Sequence, residues 1–172
     1  NVISEKDILD IVNGKQTKID AEKEVLVYSV SGKPIKSRSN NQQLLVDAFN
    51  KNDMVFAVGP AGTGKTYLSI ALAVKSLKAK EVKKIILSRP AVEAGEKLGF
   101  LPGDMKEKID PYLQPLYDSL EDMIPTVKLQ DMVDKHIIQI APLAFMRGRT
   151  LNDAIIILDE AQNTSTAQIR MF

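Results

Sequence analysis

Apolar positions along this chain follow two rhythms. Short unbroken runs occur at residues 54–58 (MVFAV), 84–88 (KIILS), 136–141 (HIIQIA) and 154–158 (AIIIL). Runs of this length, rich in Val and Ile, predict strands buried on both faces. Between them the spacing is helical. Residues 41–53 place Leu44, Leu45, Ala48 and Phe49 on one side, and a smooth apolar helix is expected to about Lys78. A Pro- and Gly-rich stretch, 89–134, reads as irregular to helical; its stripe of Tyr112, Leu113, Leu116, Tyr117 and Leu120 predicts core or interface packing rather than base stacking. Buried strands interleaved with helices predict an α/β fold with a mostly parallel sheet covered on both faces.

The start of the chain breaks this rhythm. Ser4 and Asp7 can cap a short helix carrying Ile8, Leu9, Ile11 and Val12 and stopped at Gly14. Residues 24–30 read as a strand, SGKP as a turn, and 35–40 as a polar connector. The expected division is a small N-terminal segment, 1–36, and an α/β core, 37–172.

Composition narrows the chemistry. At 172 residues, 44% hydrophobic and 26% charged, the chain suits one domain with its own core. A net charge of +1 gives no argument for a nucleic-acid or membrane partner, and the basic stretch 78–84 (KAKEVKK) reads as a solvated helix end. The absence of cysteine excludes disulfides and thiolate-held metals. The lone histidine, His136, opens the third predicted strand and cannot build a catalytic triad. The longest wholly apolar run, AIIIL, is far too short to span a bilayer, and with no signal peptide visible the expected location is the cytoplasm.

Glycine is used sparingly elsewhere and densely in one place. Gly59-Pro60-Ala61-Gly62-Thr63-Gly64-Lys65-Thr66, followed by Tyr67, matches the phosphate-binding pattern G-x-x-x-x-G-K-[ST] in full. Glycines let backbone N–H groups turn inward around a polyphosphate, and the following helix presents its positive end to the same anion. Lys65 is placed to reach the β- and γ-phosphates, and the Thr66 hydroxyl to ligate Mg²⁺. ATP and Mg²⁺ are therefore the expected ligands.

The fourth predicted strand ends in Asp159-Glu160. An Asp at such a position holds Mg²⁺ through its water shell, and an adjacent Glu orients the attacking water. Asp159 is the candidate metal holder and Glu160 the candidate general base, a pairing that favours hydrolysis over phosphotransfer. A glycine loop joined to an Asp-Glu strand end resembles the RecA-like class of P-loop NTPases, a three-layer α/β/α arrangement. In that class a further strand lies between the loop strand and the acidic strand. It would follow Phe172, so the chain is expected to be truncated at its C-terminal end.

Two more stretches, SRPAVEAGEKLGFLPGDMKEKIDPYLQPLYDSL (88–120) and MRGRTLNDAIIILDEAQN (146–163), complete a resemblance to the PhoH family of bacterial P-loop ATPases. The resemblance covers about residues 39–172, and the N-terminal 36 residues match less distinctively. It implies a core like the first motor domain of superfamily 1 helicases and an RNA-linked role. It also implies that Gln42 reads the adenine edge and that Gln162, in the DEAQ form of the acidic motif, meets the γ-phosphate or its water. Arg89 would touch single-stranded RNA, or pair with Glu93 or Glu96. Arg147 and Arg149 would reach a neighbouring subunit's nucleotide in a homo-oligomeric ring, or hold a loop carboxylate. The expected activity is Mg²⁺-dependent ATP hydrolysis on or near RNA. A nucleotide-gated binding module, a small-molecule kinase and a helicase completed by oligomerisation are the rivals.

Overall fold

A computed structural model describes residues 24–90 and 105–172, with backbone alone for 105–111. The helix expected near residues 4–14, and Glu93 and Glu96, lie outside the described residues.

The N-terminal portion begins as a hairpin. β1 (Val27–Tyr28) pairs antiparallel with β2 (Pro34–Ile35), and Gly32 supplies the left-handed turn residue at φ 81°. Leu26, Val27 and Ile35 are buried in the main core, so the hairpin packs onto the domain that follows it. α1 (Asn40–Lys51) starts at Ser39, whose side chain accepts from the Gln42 N–H. Its buried residue is Val46, with Leu45 and Phe49 flanking the core and Leu44 exposed. The apolar side is thus rotated from the one expected, because the core lies on the Val46 side of the Leu44-Leu45 pair.

α2 (Lys65–Lys78) is the central helix. Leu68, Ile70, Ala71, Leu72, Ala73 and Val74 are all buried, so after its first turn it is enclosed nearly all round. It leads to β3 (Lys84–Arg89), then α3 (Met105–Met123) and α4 (Thr126–Asp134). β4 (Ile138–Pro142) passes into a 3₁₀ turn (Leu143–Met146). β5 (Ala154–Leu158), a second 3₁₀ turn (Ala161–Asn163) and α5 (Thr166–Met171) close the chain.

The order β4-β3-β5 is parallel throughout, as the continuous apolar runs require. Ile85 stands opposite both Ile138 and Ile155, and Leu87 opposite Ile140 and Ile157. These residues share one core with α2 and with Leu113, Leu116 and Leu120 of α3, so the expected stripe on α3 is packing surface. The result is an α/β fold of the P-loop NTPase kind. No helix among the described residues is long and apolar enough to cross a membrane.

Two expectations fail locally. Residues 54–58 pair with no described strand, and Phe56 and Val58 are 84% and 95% exposed. β5 pairs only with β3, so no described neighbour offers this run a ladder, and an apolar strand cannot bury itself alone. His136 does not open a strand. It takes φ 56°, donates its N–H to Val133 O at 2.9 Å, and forms the left-handed turn that stops α4 before β4 begins at Ile138.

Candidate functional site

The glycine loop, 59–64, joins the exposed run to α2. Gly62 and Gly64 adopt φ 73° and 80°, a region that a side chain disfavours. Gly64 is also the residue before the first turn of α2, and no side chain caps that turn. The leading N–H groups of a 14-residue helix are therefore left to an anion. The loop is held by its own bonds. Thr63 Oγ1 donates to Pro60 O at 2.9 Å, and Lys65 Nζ donates to Gly59 O and Pro60 O, both at 2.8 Å. Lys65 thus lies folded across the cradle that its charge is suited to fill with phosphate.

Gln42 supports the loop from α1. Its Nε2 donates to Thr63 O at 3.0 Å and its Oε1 accepts from Arg38 N–H at 2.6 Å. Both ends of the amide are engaged by backbone, next to the cradle, whatever it does toward a base. Tyr67 belongs to the first turn of α2, and its hydroxyl donates to Asp122 Oδ2 on α3. Burial, and then the hydrogen bond and charge of Asp122, push the Tyr67 phenol up to about 12.

The acidic strand end meets the loop directly. Thr66 Oγ1 donates to Asp159 Oδ1 at 2.6 Å, joining residues 93 positions apart in sequence. The Asp159 N–H donates to Ser88 O at 2.9 Å, one step beyond the β3–β5 ladder, which fixes the carboxylate at the sheet's end. Two hard oxygen donors, side by side at the lip of an anion cradle, fit Mg²⁺. That ion takes one or two protein ligands and leaves the remaining places to water and phosphate. Among the described residues no cluster of three His, Cys, Asp or Glu could hold a metal instead.

Glu160 follows in the left-handed region at φ 51°, uncommon for a non-glycine residue and typical of functional turns. Gln162 Nε2 donates to Glu160 Oε2. Five of the expected residues, Lys65, Thr66, Asp159, Glu160 and Gln162, therefore lie at the start of α2, directly after this loop, or on the acidic turn that Thr66 touches. Arg149 lies elsewhere, bonded to Gln139 Oε1 and 3.7 Å from Met146 Sδ, while Arg147 is exposed.

Among the described residues, Arg89 meets the acidic turn and α3, while Glu93 and Glu96 lie outside them. Its Nη2 is 3.6 Å from Glu160 Oε1, its Nε is 4.0 Å from Asp159 Oδ2, and its Nη1 donates to Tyr112 O at 3.1 Å. The signal lay in strand register. Ser88 stands opposite Leu158, so the residues that follow on each strand must be neighbours. Ser88 itself was not expected to matter. It is fully buried, and its hydroxyl has no hydrogen-bond partner among the described residues.

The model of the family described as PhoH-like protein matches residues 34–172. A PhoH-like protein of Bacillus subtilis is 51% identical over 175 residues, covering 99% of this chain and 55% of that protein. A PhoH-like protein of Mycobacterium tuberculosis is 58% identical over 146 residues, covering 85% and 42%. Protein PhoH of Escherichia coli K12 is 45% identical over 141 residues, covering 81% and 40%. The chain spans about half the length, or less, of these curated relatives.

Proposed function

The chain belongs to the PhoH-like family, and from that premise we propose that it binds ATP with Mg²⁺ and hydrolyses the γ-phosphate, acting on or beside RNA in the cytoplasm. The observation that supports this most is the 2.6 Å bond between Thr66 and Asp159. It brings the end of the glycine loop and the acidic strand end to one point. Lys65 and the loop amides neutralise phosphate charge by exchanging the lysine's present carbonyl partners for phosphate oxygens. Thr66 and Asp159 hold the metal, whose chemistry is to draw charge from the phosphate oxygens. Glu160 accepts a proton from the attacking water, and Gln162 holds Glu160 and the water in place. Gln42, already bonded to the loop at Thr63, is the residue nearest in role to an adenine reader.

The test is phosphate release with and without single-stranded RNA, beside equilibrium binding of ATP. Lys65→Ala is expected to weaken ATP binding by tenfold or more, since each charge-assisted contact is worth about 1.5–3 kcal/mol. Glu160→Gln is expected to keep binding and lose turnover. Unchanged affinity in the first variant, or wild-type turnover in the second, would remove the respective role. A nucleotide-gated binding module is the second reading. It is favoured by the engagement of Glu160 with both Arg89 and Gln162, and it requires binding with no phosphate release under any condition.

A further inference from the structure

Arg89 occupies the point where β3, the acidic turn and α3 converge. Its side chain is 19% exposed, and those of Asp159 and Glu160 are 12% and 37% exposed. One guanidinium faces both carboxylates and is anchored by Tyr112 O. Pro115, in the next turn of α3, has no N–H for the carbonyl of Pro111, which loosens the helix ladder where this anchor sits.

The division of oxygens is informative. Asp159 Oδ1 faces Thr66, and Oδ2 faces Arg89. The oxygen suited to a metal and the one turned to the arginine are different atoms of one carboxylate. Adjacent partly buried carboxylates repel each other and repel an incoming polyphosphate; a fixed cation between them offsets both effects. Glu160 also sits on a strained left-handed backbone, so its carboxylate depends on outside contacts to stay in place.

We infer that Arg89 is a positioning residue for the acidic pair: it holds Glu160 in place and balances the pair's charge when no metal is present. This rests on the nucleotide-binding role proposed above. Metal and arginine then share one task. Removal of the arginine costs most where the metal is missing.

The test uses the whole chain as wild type, Arg89→Gln and Arg89→Lys, with folding of each checked by circular dichroism. A fluorescent ATP analogue is titrated in excess Mg²⁺ and again in EDTA. Arg89→Gln is expected to bind about tenfold more weakly in EDTA and almost unchanged in Mg²⁺. Arg89→Lys should recover most of the loss by restoring the charge. Turnover in Mg²⁺ should fall through kcat, with KM little altered. An equal loss in both conditions, failure of lysine to rescue, or a defect confined to RNA binding overturns the inference. If the wild type binds the analogue but releases no phosphate, the hydrolysis proposal falls and the affinity ratio still decides the role of Arg89. No binding by the wild type in either condition overturns both.

Discussion

Gly64 shows how much one residue's backbone can decide. Its φ of 80° starts α2 without a cap, and a Cβ there would lie 3.1 Å from Gln42 Nε2. Gly64→Ala is expected to destabilise the fold by about 1–2 kcal/mol and to disturb the Gln42–Thr63 bond, measured by urea unfolding and ATP titration. Ser88 works in the other direction. A fully buried hydroxyl without a partner among the described residues carries its desolvation cost unrelieved. Ser88→Ala should therefore leave stability unchanged or raise it by about 1 kcal/mol in the same assay. At this scale the sequence was legible where the chemistry is contiguous. The loop from Gly59 to Thr66, and Asp159-Glu160, announce themselves because the proposed phosphate and metal contacts need neighbouring residues in order. Arg89 and Gln42 were legible only as residue types. Their partners come from distant segments, and only strand register or helix docking sets them side by side.

Among the elements, α2 and α3 bear on the site together. Tyr67 on the first turn of α2 donates to Asp122 near the end of α3, and the Asp122 carbonyl accepts from Val30 N–H of the hairpin segment at 2.7 Å. The raised Tyr67 phenol fixes the sign of a pH effect. An unfolded chain loses this proton near the ordinary value of 10.0, whereas the folded chain keeps it to about 12. The stabilisation is complete below the first value and is lost as pH rises through the window between them. Unfolding midpoints should fall across that window and fall less in Tyr67→Phe, and absorbance titration should show one tyrosine ionising late. Helices were readable from their stripes, since three buried leucines of α3 recur at helical spacing. The face of α1 was misjudged because Leu44 and Leu45 are adjacent and only tertiary packing shows which of them turns inward. The 54–58 run was misjudged because an apolar pattern states a need for burial and not the presence of a neighbour.

For the molecule as a whole, alternation of apolar runs and helical stripes was enough for the α/β class and the parallel sheet. It could not give the order β4-β3-β5, because hydrophobicity does not encode which strand becomes the middle one. That order matters for the site. By placing β3 between its partners it brings Arg89 beside Asp159 and leaves the outer side of β5 without a described strand.

The bare stretch before the glycine loop has a practical outcome. A largely exposed Met-Val-Phe-Ala-Val sequence, in a chain whose strand β5 has no described strand on its outer side, is the material from which cross-β fibres nucleate. Concentrated solutions of these 172 residues should scatter light increasingly with time, and Phe56→Lys should keep them clear. Equal turbidity in both would mean that the stickiness resides elsewhere.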